Sequence, residues 1–170
     1  EFLRDLISLQ NEQGDCVDTR LIKFAQDLVS WEKGTLVPIV GTEGDDEKKQ
    51  LKIKGTAVIK NGTMVGALDA FATRGISWVT GDVTEGILTI ITSQGLATIE
   101  TTDAKVSKKI TFDDSDKMHV KIEVQQTGII GHATGGAGSG YEKNTEEIQK
   151  AIEEEIKKEI YAGKEKLVEY

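Results

Sequence analysis

The sequence predicts an α+β domain, with an antiparallel or mixed sheet of about five to six strands packed with an N-terminal helix, a short middle helix and a long C-terminal helix. Three observations point there. Residues 51–60 alternate apolar and polar side chains up to Asn61-Gly62, the dipeptide best suited to the two positive φ angles of a type I′ hairpin turn. Met118, Val120, Ile122 and Val124 alternate with His119, Lys121, Glu123 and Gln125, which is the period of a strand. Ile148, Ile152, Ile156 and Ile160 fall every fourth residue, one stripe on a helix.

Taken in chain order, Phe2, Leu6 and Leu9 suggest a short first helix. Val17, Leu21, Phe24, Leu28 and Trp31 recur every three or four residues, so a second helix is expected over 17–31. Asp15 or Asp18 is its candidate cap, and Gly34 its stop. Leu36-Val37-Pro38-Ile39-Val40 reads as extended, because proline biases the residue before it away from the helix. Residues 41–50 are a charged linker, which divides the chain into a helical segment over 1–50 and a core over 51–170.

The hairpin's second strand runs from Met64 to Leu68, pairing Ile59 with Met64, Val58 with Val65 and Ala57 with Gly66. Asp69 can cap a helix from Ala70 that places Phe71, Arg74 and Trp78 roughly on one side, with Gly75 and Gly81 bounding its end. Ile87–Thr92, Leu96–Thr101 and Ala104–Phe112 are three further strands. Asp113-Asp114-Ser115-Asp116 turns the last of them toward Met118. Residues 131–140 hold a glycine-rich loop. Asn144 and Glu147 form a candidate capping pair for the last helix, Glu153–Lys157 and Glu154–Lys158 are favourable pairs on its outer side, and Gly163 weakens it.

Composition narrows the function. The chain has 21 basic and 29 acidic residues in 170, a net charge of −8. A field of that sign repels phosphate backbones and anionic lipid, which disfavours nucleic acid as a partner. No apolar run approaches the roughly 20 residues of a membrane-crossing helix. The first residues lack the basic and apolar regions of a signal peptide. The single cysteine, Cys16, excludes an internal disulfide, and no histidine pattern supports it as a nucleophile.

Several motifs point away from chemistry. Gly140 is followed by Tyr141-Glu142, whereas a phosphate loop needs Lys and Ser/Thr there. His119 and His132 lack the companions of a zinc site. The aspartates at 113–116 lack the glycine and glutamate of a calcium loop. Trp31 and Trp78 are expected to pack in the core. No catalytic, cofactor or metal residue is expected, although a carboxylate pair made only in three dimensions would escape this reading. The residues by themselves therefore lead to an α+β domain without evident enzymatic machinery.

The stretch Ile53–Gly81 is similar to the Ger(x)C family, the C subunits of spore germinant receptors. Gly55, Ala57, Val58, Val65, Gly66, Leu68, Thr73, Arg74, Gly75, Trp78 and Gly81 match the family's order of a Gly-x-Ala-Val strand, a Leu-Val-Gly-x-Leu strand, Thr-Arg-Gly, a Trp and a glycine. Leu36-Val37-Pro38-Ile39 upstream, and Lys105-Val106, Gly128-Ile129 and the Glu/Lys-rich last helix downstream, follow in family order from about residue 17 onward. The departures are Ile59 where the family has Phe, and Met64 where it has Leu.

The resemblance implies a non-catalytic lipoprotein on the outer surface of the inner spore membrane, anchored through a segment upstream of Glu1. It implies contact with germinant receptor A and B subunits during nutrient sensing. The motif residues Gly66, Leu68, Thr73, Arg74, Gly75 and Trp78 are then candidate partner contacts. For Arg74 the other reading is an ion pair or helix-end contact holding the short helix to the sheet. Gly66 and Gly75 would then serve close packing or a positive φ. A different function class, an extracytoplasmic small-molecule-binding domain, calls for an apolar pocket with a few polar groups.

Overall fold

The computed structural model describes residues 2–30, 34–44, 49–134 and 141–170. Element order is α1 (Phe2–Glu12), α2 (Leu21–Val29), β1 (Gly34–Glu43), β2 (Gln50–Lys60), β3 (Thr63–Leu68), α3 (Ala70–Thr80), β4 (Gly86–Thr92), β5 (Gly95–Phe112), β6 (Met118–Ala133) and α4 (Tyr141–Glu169). The class is α+β as expected. The six strands form two antiparallel three-stranded sheets, β1-β2-β3 and β4-β5-β6. Helix α3 connects the sheets, and α4 packs against both cores.

The first sheet is built around the Asn61-Gly62 turn. Both residues take positive φ, 52° and 74°, so the strands reverse in two residues. Ile59 pairs with Met64 as the turn dictates, but the register then shifts and Val58 faces Gly66 while Ala57 faces Ala67. The pairings expected for Val65 and Gly66 are displaced by this bulge, which adds one residue to β3. Its core is Val58, Leu68 and Ala72, with Leu36, Ile76, Leu167 and Tyr170 against them.

Asp69 caps α3 as expected, its carboxylate accepting the Ala72 amide at 2.8 Å. Gly81 ends the helix in the left-handed region, φ 91°. Gly75 bounds nothing: it lies inside the helix. The second sheet continues from there. The two strands expected over 96–101 and 104–112 are one strand, β5, because the pairing with β6 runs on from Ala97 to Phe112 through two irregularities. Trp78, Leu88, Ile90, Ala97 and Ile99 pack with Ile148 and Ile156 of α4 to make the larger core.

At about 1.5 Å per residue, α4 is a rod some 40 Å long. The isoleucine stripe faces inward, with Ile152 and Ile160 at its partly buried edge. Gly163 does not break it. The helix runs through to Glu169, and Gly163 lies against the Ala72 carbonyl of α3. Gly75 in turn lies against the Glu159 carbonyl of α4, where a Cβ would collide with the backbone. The two helices thus touch main chain to main chain at two small residues. Glu147 is not half of a cap. Its carboxylate accepts the Ser93 amide at 2.6 Å, tying α4 to the β4–β5 turn. Lys157 pairs with Glu153 as expected, whereas Lys158 chooses Glu155 over Glu154.

The N-terminal region departs most from expectation. Residues 17–20 carry no regular secondary structure, Arg20 is extended, and α2 starts at Leu21. Arg20 holds the cap position without a side-chain bond, so neither Asp15 nor Asp18 caps it. Gly34 opens β1, which pairs with β2 along its whole length. Trp31, part of the linker and most of the glycine-rich stretch lie outside the described residues. Cys16 is fully buried, its thiol donating to the Val17 carbonyl and pushed up to about 11, first by burial and then by Asp18 and Asp15.

Two measurements follow from the α4 contacts. Alanine ordinarily stabilises a helix interior over glycine by about 1 kcal/mol. Gly75→Ala is expected to reverse that sign and cost about 3 kcal/mol in urea unfolding, because the helices must part. Hydrogen bonding to Ser93 lowers the Glu147 pKa. A lowered folded value gives stability that is full above the ordinary carboxylate range and lost as pH falls through the folded value. Glu147→Gln should therefore melt below the unmodified protein at pH 7, with the gap closing toward pH 3.

Candidate functional site

The matched motif residues converge on the α3–α4 contact. Glu159 of α4 is fully buried, an arrangement that is costly unless the charge is paired and hydrogen-bonded. Both conditions hold. One carboxylate oxygen accepts the Trp78 Nε1 proton at 2.7 Å. The other accepts the Arg74 Nε proton at 2.9 Å and a second Arg74 proton from Nη2. Helical spacing explains the convergence: Arg74 and Trp78 are four residues apart, so both project from one side of α3.

Arg74 also reaches Asp15 at 3.5 Å, in the connection between α1 and α2. The Ser77 hydroxyl donates to the Gly14 carbonyl at 3.1 Å, and Asn11 donates to the Cys16 carbonyl at 3.1 Å. Burial disfavours the Arg74 charge, but hydrogen bonding and attraction from Glu159, with Asp15 and Glu155, hold its pKa above the ordinary value. Burial raises the Asp15 carboxyl; Arg74 opposes this and Glu159 adds to it. The cluster therefore links three parts of the chain through one guanidinium. The ion pair expected for Arg74 joins α3 to α4 and the α1–α2 connection rather than to the sheet.

The other motif residues are part of the same interior. Leu68 and Trp78 are core side chains, and Thr73 is fully buried with its hydroxyl unpaired among the described residues. Gly75 permits the helix contact. Gly66 lies beneath the Tyr170 ring, where a Cβ would overlap it, and the Tyr170 hydroxyl donates to the Ala67 carbonyl at 3.3 Å. Neither glycine has a positive φ, so close packing is the reason for both. Among these side chains Arg74 is the one that retains solvent exposure, at 23%. Sequence reasoning missed Glu159, which sits in a run of Glu and Lys that reads as a solvated face. Its one local signal is its place beside Ile156 and Ile160 at the margin of the apolar stripe.

Among the described residues no group of three or more His, Cys, Asp and Glu could hold a metal. Asp113 accepts the Ser115 and Lys117 amides and contacts His119 Nε2 at 2.9 Å. These bonds, His119 first, lower its pKa, so its lone pairs serve the turn. A cleft of about 460 Å³ between α2 and β1 is lined in part by Asp18, Arg20, Lys23 and Leu36. No helix of the described residues is long and apolar enough to cross a membrane.

Replacing Glu159 separates its roles. Glu159→Gln keeps an acceptor for Trp78 but leaves Arg74 without its main counter-charge; about 3 kcal/mol of stability should be lost. Arg74→Lys should lose a similar amount, since an ammonium cannot reproduce the fork. The Trp78 indole N–H resonance should move in both variants, and urea unfolding gives the magnitudes.

Comparison with known proteins places this arrangement. The family described as "Spore germination B3/GerAC like, C-terminal" matches residues 54–170, about two thirds of the chain. Among solved structures, the crystal structure of the GerBC protein is similar at a TM-score of 0.60 and 20% identity, over 87% of this chain and 48% of that one. At that identity the likeness is one of fold, and the chain spans about half the length of that protein. No curated protein matches. The family match includes most of β2, then β3, α3 and α4, with every residue of the buried cluster except Asp15, and on that match the chain belongs to the B3/GerAC-like family of spore germination C-terminal domains.

Proposed function

We propose that this domain is part of the C subunit of a nutrient germinant receptor and acts without catalysis, by contact with the A and B subunits. On this reading the full-length protein is a lipoprotein on the outer surface of the inner spore membrane, held by an anchor upstream of residue 1. Nutrient binding elsewhere shifts the assembly between conformations, and this domain contributes a differential contact to one of them.

The observation that carries the reading is where the motif goes. Arg74, Trp78 and Glu159 are committed to one another between two helices. Gly75 and Gly163 bring those helices into main-chain contact. A rigid platform whose polar groups are spent internally suits a docking subunit, because little conformational freedom is lost on association.

The test is nutrient-triggered germination of spores whose receptor C subunit lacks the segment equivalent to residues 51–170. Nutrient response should fall to the level of receptor-null spores while a non-nutrient trigger still works. Normal responses to both triggers would overturn the proposal.

A further inference from the structure

The β5–β6 hairpin outruns its sheet. Strand β4 pairs with β5 only from Gly95 to Thr101, whereas β5 and β6 continue pairing to Phe112 and Met118. The extension is a two-stranded ribbon roughly 30 Å long, at about 3.3 Å per residue. From Ser107 to Glu123 every residue is exposed.

One face of this ribbon is apolar. Ile110 sits opposite Val120, Phe112 opposite Met118, and Lys108 opposite Ile122. The five apolar side chains are 38–65% exposed. The face continues into the core through Val124 and Ala104. The other face carries Lys109 opposite Lys121 and Thr111 opposite His119. A ribbon of two strands is marginal in water unless its apolar face is covered, and a contiguous exposed apolar strip marks an interaction site.

Charge says what covers it. In a chain of net charge −8, the shaft segments 104–112 and 117–122 contain five lysines and no acid. Lys105 and Lys121 are neutralised by Asp103 and Glu123. Lys108, opposite Ile122 on the apolar face, bonds the Thr80 carbonyl and has no carboxylate partner among the described residues. Lys109 and Lys117 have no carboxylate partner among the described residues. The tip carries Asp113, Asp114 and Asp116 beside Phe112 and Met118. Insertion tip-first into a bilayer would drag three carboxylates into hydrocarbon, which is costly. Lengthwise contact with a protein keeps them in water.

We infer that the apolar face of the β5–β6 ribbon is this domain's docking surface, and that its occupant is a protein segment presenting apolar side chains beside carboxylates. The inference rests on the docking function proposed above, and names the surface and the partner's chemistry. Apolar burial supplies affinity, and the lysines set register and encounter rate.

The test uses the full-length subunit in spores. A photo-crosslinking amino acid is placed at Phe112 or Val120, with Leu21 and Ile91, both highly exposed, as control positions. Ribbon positions should give adducts identified by mass spectrometry as the receptor A or B subunit; the controls should not. Lys108→Glu, on the apolar face, should slow nutrient germination roughly tenfold, whereas Lys109→Glu on the opposite face should not, with both purified variants still folded by circular dichroism. Adducts from Leu21 or Ile91 alone, in spores that still require the domain, would overturn the ribbon assignment and leave the docking function standing. Ribbon adducts to lipid alone, with Lys108→Glu releasing the domain from anionic vesicles, would replace the protein partner with a membrane. If deletion of the domain has no effect on nutrient response, both proposals fall together.

Discussion

A carboxylate buried between two helices is held only if something brings donors to it, and here the donors arrive because the helices almost touch. Gly75 of α3 and Gly163 of α4 each face a carbonyl of the other helix. That approach places Glu159 within reach of both Arg74 and Trp78. The dependence runs both ways. Without the glycines the donors would stand off from the carboxylate. Without the donors the close approach would bury an unpaired charge, the costlier of the two failures. Both sheets hang from this pair of helices, the first through Leu68, Ala72 and Leu167, the second through Trp78, Ile148 and Ile156.

Much of this was legible in the sequence, for reasons that are local. Asn61-Gly62 requires its turn, Asp69 its cap, and the alternation at 118–124 its strand, because each is decided by neighbours in the chain. The isoleucine stripe of α4 is equally local. What escaped was decided across the fold. The bulge at Val58–Ile59 depends on how β3 meets the rest of the sheet. Asp15 and Asp18 look like caps, yet Asp15 serves Arg74, fifty-nine residues away. Gly163 looks like a helix breaker because the opposing Ala72 carbonyl is invisible from sequence. Glu159 is hidden for the same reason. Composition marks it as solvent-facing, and only the arrival of α3 turns it inward.

The ribbon shows the opposite relation between sequence and structure. Its alternation predicts a strand with one apolar face, and a strand is what forms. Alternation does not say whether that face meets the core or leaves it. Val124 reaches the core and Ile122 does not, though both lie on the same face. The boundary follows where β4 stops pairing, at Thr101, and where α4 joins the core that Val124 meets, through Ile148 and Ile156. On the proposed reading, the rigid joint and the free ribbon divide the labour between them. The motif that identifies the family maintains the platform, and contact is assigned to a segment outside that motif.

The separation of Arg74 and Glu159 by 85 positions has a bearing on how the chain reaches its native state. The whole second sheet, with its ribbon, lies in sequence between these two residues. Bringing them together closes a large loop, and the entropy of closure is met before the contact returns anything. The β2–β3 and β5–β6 hairpins can form early from local pairing, but docking α4 onto α3 needs both ends of that loop in place. A nonlocal step of this kind is expected to slow folding relative to hairpin formation. Because closure cost grows only with the logarithm of loop length, changing the ribbon by a pair of residues per strand barely alters that step. Lineages can vary the length of the ribbon while the joint that holds the domain together stays the same.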